Sequence, residues 1–226
     1  MSEYRIETHL HTSCVSACGH MDAAALAEGY AKAGYAAVAV TDHYNRDTFR
    51  YLHIDTTRPG DVITPFLEGF RRMEAECARR GLRVYKGAEL RFDECDNDYL
   101  LYNYPDGLLA EPEKLFHMGI AAFAPLARKA GALLIQAHPY RDKCTPAIAC
   151  YLDGVEVLNL NPRHDSRNDR AEEYAALHRL LRTGGSDCHQ EGDVGQGGII
   201  ASTLPEDDAA FVRLLREGGY TVIGAK

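Results

Sequence analysis

The sequence has no apolar run that approaches the length of a membrane span, which takes about 20 residues. Its first stretch, MSEYRIETHL, lacks the basic-then-apolar pattern of a secretory signal peptide. The seven cysteines are odd in number and spread along the chain, which is atypical of a disulfide framework. We therefore expect reduced thiols in a cytoplasmic protein that does not enter a membrane.

An excess of positive charge is also missing. Lys and Arg number 25 against 33 Asp and Glu, which gives a formal net charge of −8. Surfaces for long nucleic acids normally carry a basic stripe, so this balance argues against such a partner, although it allows a local basic pocket. No linker, low-complexity tract or internal repeat interrupts the 226 residues. We expect residues 1–226 to form one domain.

Short β-like runs alternate with helix-like segments along the chain. A helix is predicted over DAAALAEGYAKAG, which opens on an Asp cap, and another over TPFLEGFRRMEAECARRG, which opens on a Thr cap. A third helix, IAAFAPLARKAG, is interrupted by Pro125. Strands are predicted at YRIETHLH, YAAVAVTDH, LRVYKGAEL, DYLLYNY, ALLIQAHP, DGVEVLNLNP and LLRTGGSDCH. This alternation favours an α/β fold with a parallel sheet.

Histidines and carboxylates lie at the ends of five predicted strands. They are His9, His11, Asp42, His43, Glu89, His138, Asp187 and His189. A parallel barrel gathers its strand C-termini around one mouth, so these side chains would converge. His9 and His11 are two residues apart on a strand, so both imidazoles can reach one ion. This ligand set suits Zn²⁺, Mn²⁺ or Fe²⁺, and Glu89 could bridge two ions about 3.5–4 Å apart.

At these residues the sequence resembles the PHP family, the polymerase and histidinol phosphatase superfamily of metal-dependent phosphoesterases. HLHT, TDH, QAHP and SDCH match its four motifs in order and span nearly the whole chain. The resemblance implies a distorted, TIM-like (β/α)7 barrel with two to three divalent ions, Zn, Mn or Fe, in its mouth. It implies these metal ligands: His9, His11, His20, His43, Glu89, His138, Asp187 and His189. It implies a catalytic role for Glu89, Asp187 and His189.

The sequence departs from the family pattern after the fourth strand. Many members have a histidine there that shares a metal with the histidine of the third motif. The corresponding region, LLYNYPDGLL, contains no histidine, so Asp106 or water would have to fill the position. The resemblance therefore implies two tightly bound ions and a third ion that binds more weakly.

The implied reaction is the hydrolysis of a small-molecule phosphate monoester. A cation lowers the pKa of a bound water from 15.7 towards about 7, which makes a Ser or Cys nucleophile unnecessary. Arginine pairs with phosphate through two hydrogen bonds, which makes the basic residues near the mouth candidates for substrate binding. These candidates are Arg141, Arg163, His164 and Arg167.

Two other functions stay open at this point. An amidohydrolase that cleaves C–N bonds also uses His-x-His on a barrel strand, but such sites commonly need a carboxylated lysine. Lys86 is the nearby candidate for that role. A non-catalytic, metal-binding regulatory module would keep the barrel without turnover. The leaving group, the metal and the oligomeric state do not follow from the sequence.

Overall fold

The computed structural model describes residues 3–58 and 60–224. The strands are β1 Tyr4–Leu10, β2 Tyr35–Val40, β3 His43–Tyr44, β4 Arg83–Arg91, β5 Asp98–Tyr102, β6 Leu133–Gln136, β7 Gly154–Asn159, β8 Leu181–Gly185, β9 Ile199–Ala201 and β10 Tyr220–Val222. The helices are α1 Ala23–Lys32, α2 Arg46–Tyr51, α3 Ile63–Phe66, α4 Glu68–Ala78, α5 Pro112–Lys129, α6 Asn168–His178 and α7 Asp208–Glu217. This alternation confirms the predicted α/β class.

The strands form one nearly closed, barrel-shaped sheet in the order β10-β9-β1-β2-β4-β5-β6-β7-β8, with β3 paired to β4. The pairs β1–β2, β2–β4, β6–β7 and β7–β8 are parallel. Strand β5 is antiparallel to both of its neighbours, and β9 is antiparallel to β1 and β10. The expectation of a parallel sheet is therefore wrong at β5 and β9. A short apolar run predicts a strand but carries no information about its direction.

The barrel closes where the segment after β8 meets the end of β1. His11 N donates to Cys188 O at 3.0 Å, and Cys188 N donates to His9 O at 3.2 Å. Gly185 permits this approach, because a Cβ at that position would lie 2.5 Å from the Cβ of His9. The first and the last sequence motifs are thus joined directly by backbone hydrogen bonds.

The helices begin and end differently from the prediction at two places. Thr64 does not cap a helix but lies within α3, and the carboxylate of Asp61 accepts from its N–H at 2.9 Å. The chain continues through Pro125 inside α5 and instead breaks at Gly119, where φ is 73°. Glycine adopts this left-handed conformation without steric cost, so the break falls there.

The helices cover the sheet with apolar faces. Helix α1 is capped by Asp22, whose side chain accepts from Ala25 N, and it buries Leu26 and Tyr30. Burial of side chains of this size stabilises the fold by roughly 1.5–3 kcal/mol each. Within residues 3–58 and 60–224, no helix combines the length and the apolar character needed to cross a membrane.

Candidate metal centre

The mouth of the barrel contains a cavity of about 480 Å³. The cavity is lined by His43, His138, Asp187 and His189, with His20 at its rim. The fully buried His9, His11 and Glu89 contact these ligands, whereas Asp42 accepts from Thr12 N and Ser16 Oγ instead. His9 and His11 come from the end of β1, His43 from β3, Glu89 from β4, His138 from the segment after β6, and Asp187 and His189 from the segment after β8. Residues far apart in sequence therefore share one small volume, as the strand-end pattern predicts.

Glu89 lies at the centre of this group and is fully buried. Its Oε1 is 3.4 Å from His9 Nε2 and 3.2 Å from His138 Nε2. Its Oε2 is 3.4 Å from His11 Nε2 and 2.8 Å from His43 Nδ1. Because each oxygen faces a different pair of imidazoles, this carboxylate has the geometry of a residue that bridges two cations.

Asp187 also contacts the two β1 histidines. Its Oδ1 is 3.2 Å from His11 Nε2 and 3.5 Å from His9 Nε2, and its Oδ2 accepts from Arg141 at 2.6 Å. Burial raises the pKa of this carboxyl, but His9, His11 and Arg141 outweigh burial and hold the pKa well below its usual range. Asp187 is therefore a carboxylate at neutral pH.

Hydrogen bonds on the outer side of the imidazoles determine which ring nitrogen faces the cluster. His9 Nδ1 donates to Glu156 Oε1 at 2.9 Å, and His189 Nδ1 donates to the backbone oxygen of Asp187 at 2.7 Å. Both rings thereby keep Nε2 available for a cation, an arrangement common among metal-binding histidines.

Glu156 is a site residue that the sequence analysis missed. It is fully buried on β7, and its Oε2 accepts from the backbone N–H of His138 at 3.1 Å, so one carboxylate ties β1 to the segment after β6. A signal for it exists in the sequence. A charged residue within the apolar run GVEVLN is costly to bury without partners, which indicates an inward-facing role.

Two buried polar atoms of the cluster, His43 Nδ1 and Glu89 Oε2, have no hydrogen-bond partner among the described residues. They lie 2.8 Å apart without hydrogen-bond geometry. A buried polar group left unpaired costs about 1–3 kcal/mol, and a cation that accepts both lone pairs would remove that cost. The residues present therefore fit a divalent metal.

Three groups of side chains have possible ligand atoms within 4.8 Å of one another in the described part of the chain. They are His11–His43–His189, His9–His11–Glu89 and His43–Glu89–Asp98. The donors are nitrogen and carboxylate oxygen, as in sites for Zn²⁺, Mn²⁺ or Fe²⁺.

Asp98, in the last of these groups, was also missed. It is the first residue of β5, and because β5 runs antiparallel, this start lies beside the ends of β4 and β6. Its Oδ2 is 4.0 Å from His138 Nε2. Asp106 follows the other end of β5 and pairs with Lys86 Nζ at 2.7 Å. Of the two alternatives for the missing histidine, Asp106 lies away from the mouth, and the direction of β5 places Asp98 there instead.

Two residues of the cluster have left-handed backbone conformations. The φ angle is 28° at His138 and 50° at Asp187. Such conformations cost about 1–3 kcal/mol each in a residue other than glycine and persist where neighbouring contacts enforce them, often at functional sites. At Asp187 the backbone oxygen accepts from His189 Nδ1 and from Asn161 Nδ2, which holds the turn.

His20 does not enter any of the three groups. Its backbone N–H donates to His189 O at 2.7 Å, whereas its side chain is exposed at the rim of the cavity. The family pattern specifies a ligand in this loop but does not specify how the loop folds. The position of its side chain could not be obtained from spacing alone.

Of the predicted substrate-binding residues, Arg141, Arg163 and His164 line the cavity. Arg163 is held by Asp193 through two hydrogen bonds of 2.7 Å. Arg167 pairs instead with Asp142, which is 95% exposed, at 3.8 Å. The structure thus brings three of these basic side chains to the mouth.

Arg141 is the basic residue in direct contact with the cluster. Its NH2 group donates to Asp187 Oδ2 at 2.6 Å and to Asn159 Oδ1 at 2.7 Å. Its Nε is buried and has no partner among the described residues. This guanidinium therefore keeps a donor available beside the candidate ligands.

A protein-family profile described as PHP-associated matches residues 165–220. The fold is similar to that of a two-domain protein from Bacteroides vulgatus that contains a predicted PHP-like metal-dependent phosphoesterase, with a TM-score of 0.72 and 14% identity. This chain has a PHP-like fold. The similarity covers 98% of this chain and 64% of the Bacteroides protein, so the chain spans less than two thirds of that relative.

Two further solved structures have a fold similar to that of this chain. A candidate metal-dependent phosphoesterase from Bifidobacterium adolescentis has a TM-score of 0.54 and 18% identity, over 94% of this chain and 96% of that one. An amidohydrolase from Chromobacterium violaceum with bound sulfate and no metal has a TM-score of 0.56 and 16% identity, over 96% and 97%. No curated protein matches the sequence. These matches support the resemblance drawn from the four motifs and confirm the fold that it implies.

Proposed function

We propose that this protein is a metal-dependent phosphoesterase of the PHP type that hydrolyses a small-molecule phosphate monoester. The observation that carries the proposal is Glu89, a fully buried carboxylate with four histidine ring nitrogens within 3.4 Å. So many buried titratable groups are unfavourable unless cations neutralise and connect them. The phosphoesterases among the structural relatives support the same class of reaction.

In this proposal two to three divalent ions, Zn, Mn or Fe, bind at the mouth. The ligands are His9, His11, Glu89 and Asp187 for one ion, His43 and His189 for another, and His138 with Asp98 for the weakest. When bound, such ions supply an acidified water and neutralise charge on the phosphoryl group. Glu89, Asp187 and His189 keep their catalytic roles as the residues that position this chemistry.

Arg141 binds the phosphate and positions a ligand at the same time. Its hydrogen bond to Asp187 Oδ2 leaves Oδ1 directed at the β1 histidines, and its unpartnered Nε can donate to a phosphoryl oxygen. Charge-assisted bonds of this kind are roughly twice as strong as neutral ones. His164 and Arg163 form the adjacent wall, and Arg167 contributes positive charge farther out.

A C–N hydrolase is the second candidate, because the Chromobacterium amidohydrolase has a similar fold. A carboxylated lysine would have to come from Lys86, yet its Nζ pairs with Asp106 at 2.7 Å and lies 4.8 Å above the ring of Tyr104. Glu89 occupies the bridging position instead. These contacts favour the phosphoesterase over the lysine-bridged amidohydrolase.

The proposal extends to the domain and its location. We infer one phosphoesterase domain over residues 1–226 and a cytoplasmic protein, in line with the odd number and the scattered positions of the seven cysteines. The formal charge of −8 supports a small substrate rather than long nucleic acid.

The test is phosphate release by protein that has been stripped with chelator and reloaded with Mn²⁺, Zn²⁺ or Fe²⁺. Aryl, sugar and nucleotide monophosphates are assayed beside a panel of amides, and we expect metal-dependent turnover of phosphates alone. Asp187→Asn should lower kcat/KM by at least about 100-fold, because it removes a charged ligand but keeps the side-chain shape. Asp47→Asn, at a 75% exposed carboxylate, is the matched control.

Other outcomes would assign another function. Turnover of amides without phosphate release would identify a C–N hydrolase. Stoichiometric metal binding without turnover of either panel would identify the regulatory module. Near-normal activity of Asp187→Asn would contradict the assigned site.

A further inference from the structure

The loop between β1 and α1 brings Cys18 to the mouth. Before this residue, Ser16 Oγ accepts from the backbone N–H of His43 at 3.0 Å. After it, His20 N donates to His189 O at 2.7 Å. The loop is therefore fastened on one side of Cys18 to His43 and on the other side to His189.

Cys18 lies beside the imidazoles of these same two residues. It lines the cavity together with His43 and His189. The next residue, Gly19, lets the loop pass this close, because a Cβ there would lie 2.9 Å from the carbonyl carbon and oxygen of Thr12. The backbone of this loop thus places the Cys18 thiol near the imidazole rings.

That imidazole group is itself a candidate cation site. The possible ligand atoms of His11, His43 and His189 lie within 4.8 Å of one another. Glu89 Oε2 is fully buried, has no hydrogen-bond partner in the part of the chain that the structure describes, and lies 3.4 Å from His11 Nε2. A cation placed there would have nitrogen donors and a carboxylate oxygen, with the thiol at its side.

We propose that Cys18 is a sulfur ligand of the cation held by His43 and His189, in the position for which the family resemblance offered His20. On binding, the thiol would give its proton to solvent and coordinate as thiolate. Thiolate and imidazole donors suit Zn²⁺ or Co²⁺, whereas Mn²⁺ and Mg²⁺ prefer oxygen. The inference rests on the metal-binding part of the proposed function and makes this site selective for thiophilic ions.

The test uses the full chain, stripped of metal and titrated with Co²⁺ while absorbance is recorded. A thiolate ligand gives a near-ultraviolet sulfur-to-cobalt charge-transfer band in addition to the weaker visible bands of cobalt. We expect this band in the unaltered protein and its loss in Cys18→Ser. Circular dichroism of the metal-free variants verifies that each one is folded.

Matched variants identify the sulfur. Cys14→Ser alters the same loop, where the Cys14 thiol contacts Thr12 Oγ1 at 3.4 Å, and Cys144→Ser removes the thiol 3.8 Å from His138 Nδ1. Both variants should keep the band, and so should His20→Ala. Mutation of a residue that only hydrogen-bonds to a metal ligand typically lowers metal affinity by about 10–100-fold. Loss of a direct ligand in Cys18→Ser should therefore weaken Zn²⁺ binding by at least about 10-fold, whereas Mn²⁺ binding should change less.

A second variant, Cys18→Asp, tests the same point in a protein that keeps an anionic ligand. It should lose the band and gain preference for Mn²⁺ relative to Zn²⁺. A charge-transfer band that persists in Cys18→Ser overturns the inference, as does cobalt binding with no such band in the unaltered protein. In both cases the metal centre itself stands. Absence of any cobalt binding to the folded protein would overturn the metal centre and the proposed function together.

Discussion

The substitution Glu156→Gln isolates the contribution of one buried charge to metal binding. The carboxylate of Glu156 accepts three hydrogen bonds, from His9 Nδ1 at 2.9 Å, from His138 N at 3.1 Å and from Asn159 Nδ2 at 2.8 Å. Glutamine has the same shape but only one acceptor oxygen, so its amide would face at least one of these donors. The variant therefore loses at least one strong hydrogen bond without creating a cavity.

A hydrogen bond to a charged group contributes about 1.5–3 kcal/mol. At about 1.4 kcal/mol per factor of ten, this corresponds to a loss of about 10–100-fold in metal affinity if it acts only on the metal-bound state. The measurement is competition with a chromophoric chelator on stripped protein. Glu206→Gln, at an exposed glutamate, is the control. Unchanged affinity in Glu156→Gln, or an equal loss in Glu206→Gln, would refute the reasoning.

The same variant should change the pH dependence of binding. Burial lowers the pKa of His9, but Glu156, Asp187 and Glu89 outweigh burial and raise the pKa well above its ordinary value. A cation must displace the extra proton, so affinity rises with pH up to that pKa. Without the charge of Glu156 the pKa of His9 falls, and affinity should vary less between pH 6 and about pH 8. A pH profile as steep as that of the unaltered protein would contradict this assignment.

Three further predictions follow from the site. Asp98→Ala should lower the metal content measured by elemental analysis by about one ion per chain, and Asp106→Ala should not, because only Asp98 lies at the mouth. Removal of metal by a chelator should lower the Tm by about 5–10 °C. A ligand at 100 times its Kd stabilises the folded state by about 2.7 kcal/mol, and the Tm of a chain of this size changes by about 2–4 °C per kcal/mol. A Tm that does not respond to chelator would contradict bound metal. Burial raises the pKa of Asp193, but Arg163 and two backbone N–H groups outweigh burial and lower it below its usual range. The ionised carboxylate therefore stabilises the fold above about pH 4, and this contribution is lost as the pH falls further. Asp193→Asn should lower the free energy of unfolding, measured by urea denaturation, by about 2 kcal/mol at pH 7 and by much less at pH 3. Equal losses at both pH values would contradict the assignment.

The sequence predicted the composition of the site better than the path of the chain around it. His9, Glu89 and Asp187 could be placed together because parallel strands deliver their C-terminal ends to one edge, whatever the details of the loops. Asp98 could not be placed, because the run DYLLYNY predicts a strand of either direction. Direction depends on the neighbouring strands, which a local pattern does not contain.

The conformations of the loops and the partners in the ion pairs could not be predicted from local sequence patterns either. Arg163 could be proposed as a phosphate ligand from its position, but its partner Asp193 lies 30 residues farther along the chain. Cys18 and His20 differ by two positions in one loop, and only the hydrogen bonds of that loop decide which side chain faces the imidazoles. By contrast, a lone glutamate in an apolar strand is visible in the sequence, and Glu156 could have been found that way.

The backbone hydrogen bonds that join Cys188 to His9 and His11 have a consequence for how the protein is made. His11 and Asp187 are separated by 176 positions, so no ribosome-bound fragment that lacks the last strands can assemble both walls of the cation cluster. If the chain binds metal as proposed, loading would follow the completion of the barrel. Ions that meet single histidines of the nascent chain would find only incomplete sites, so the finished protein would select the metal.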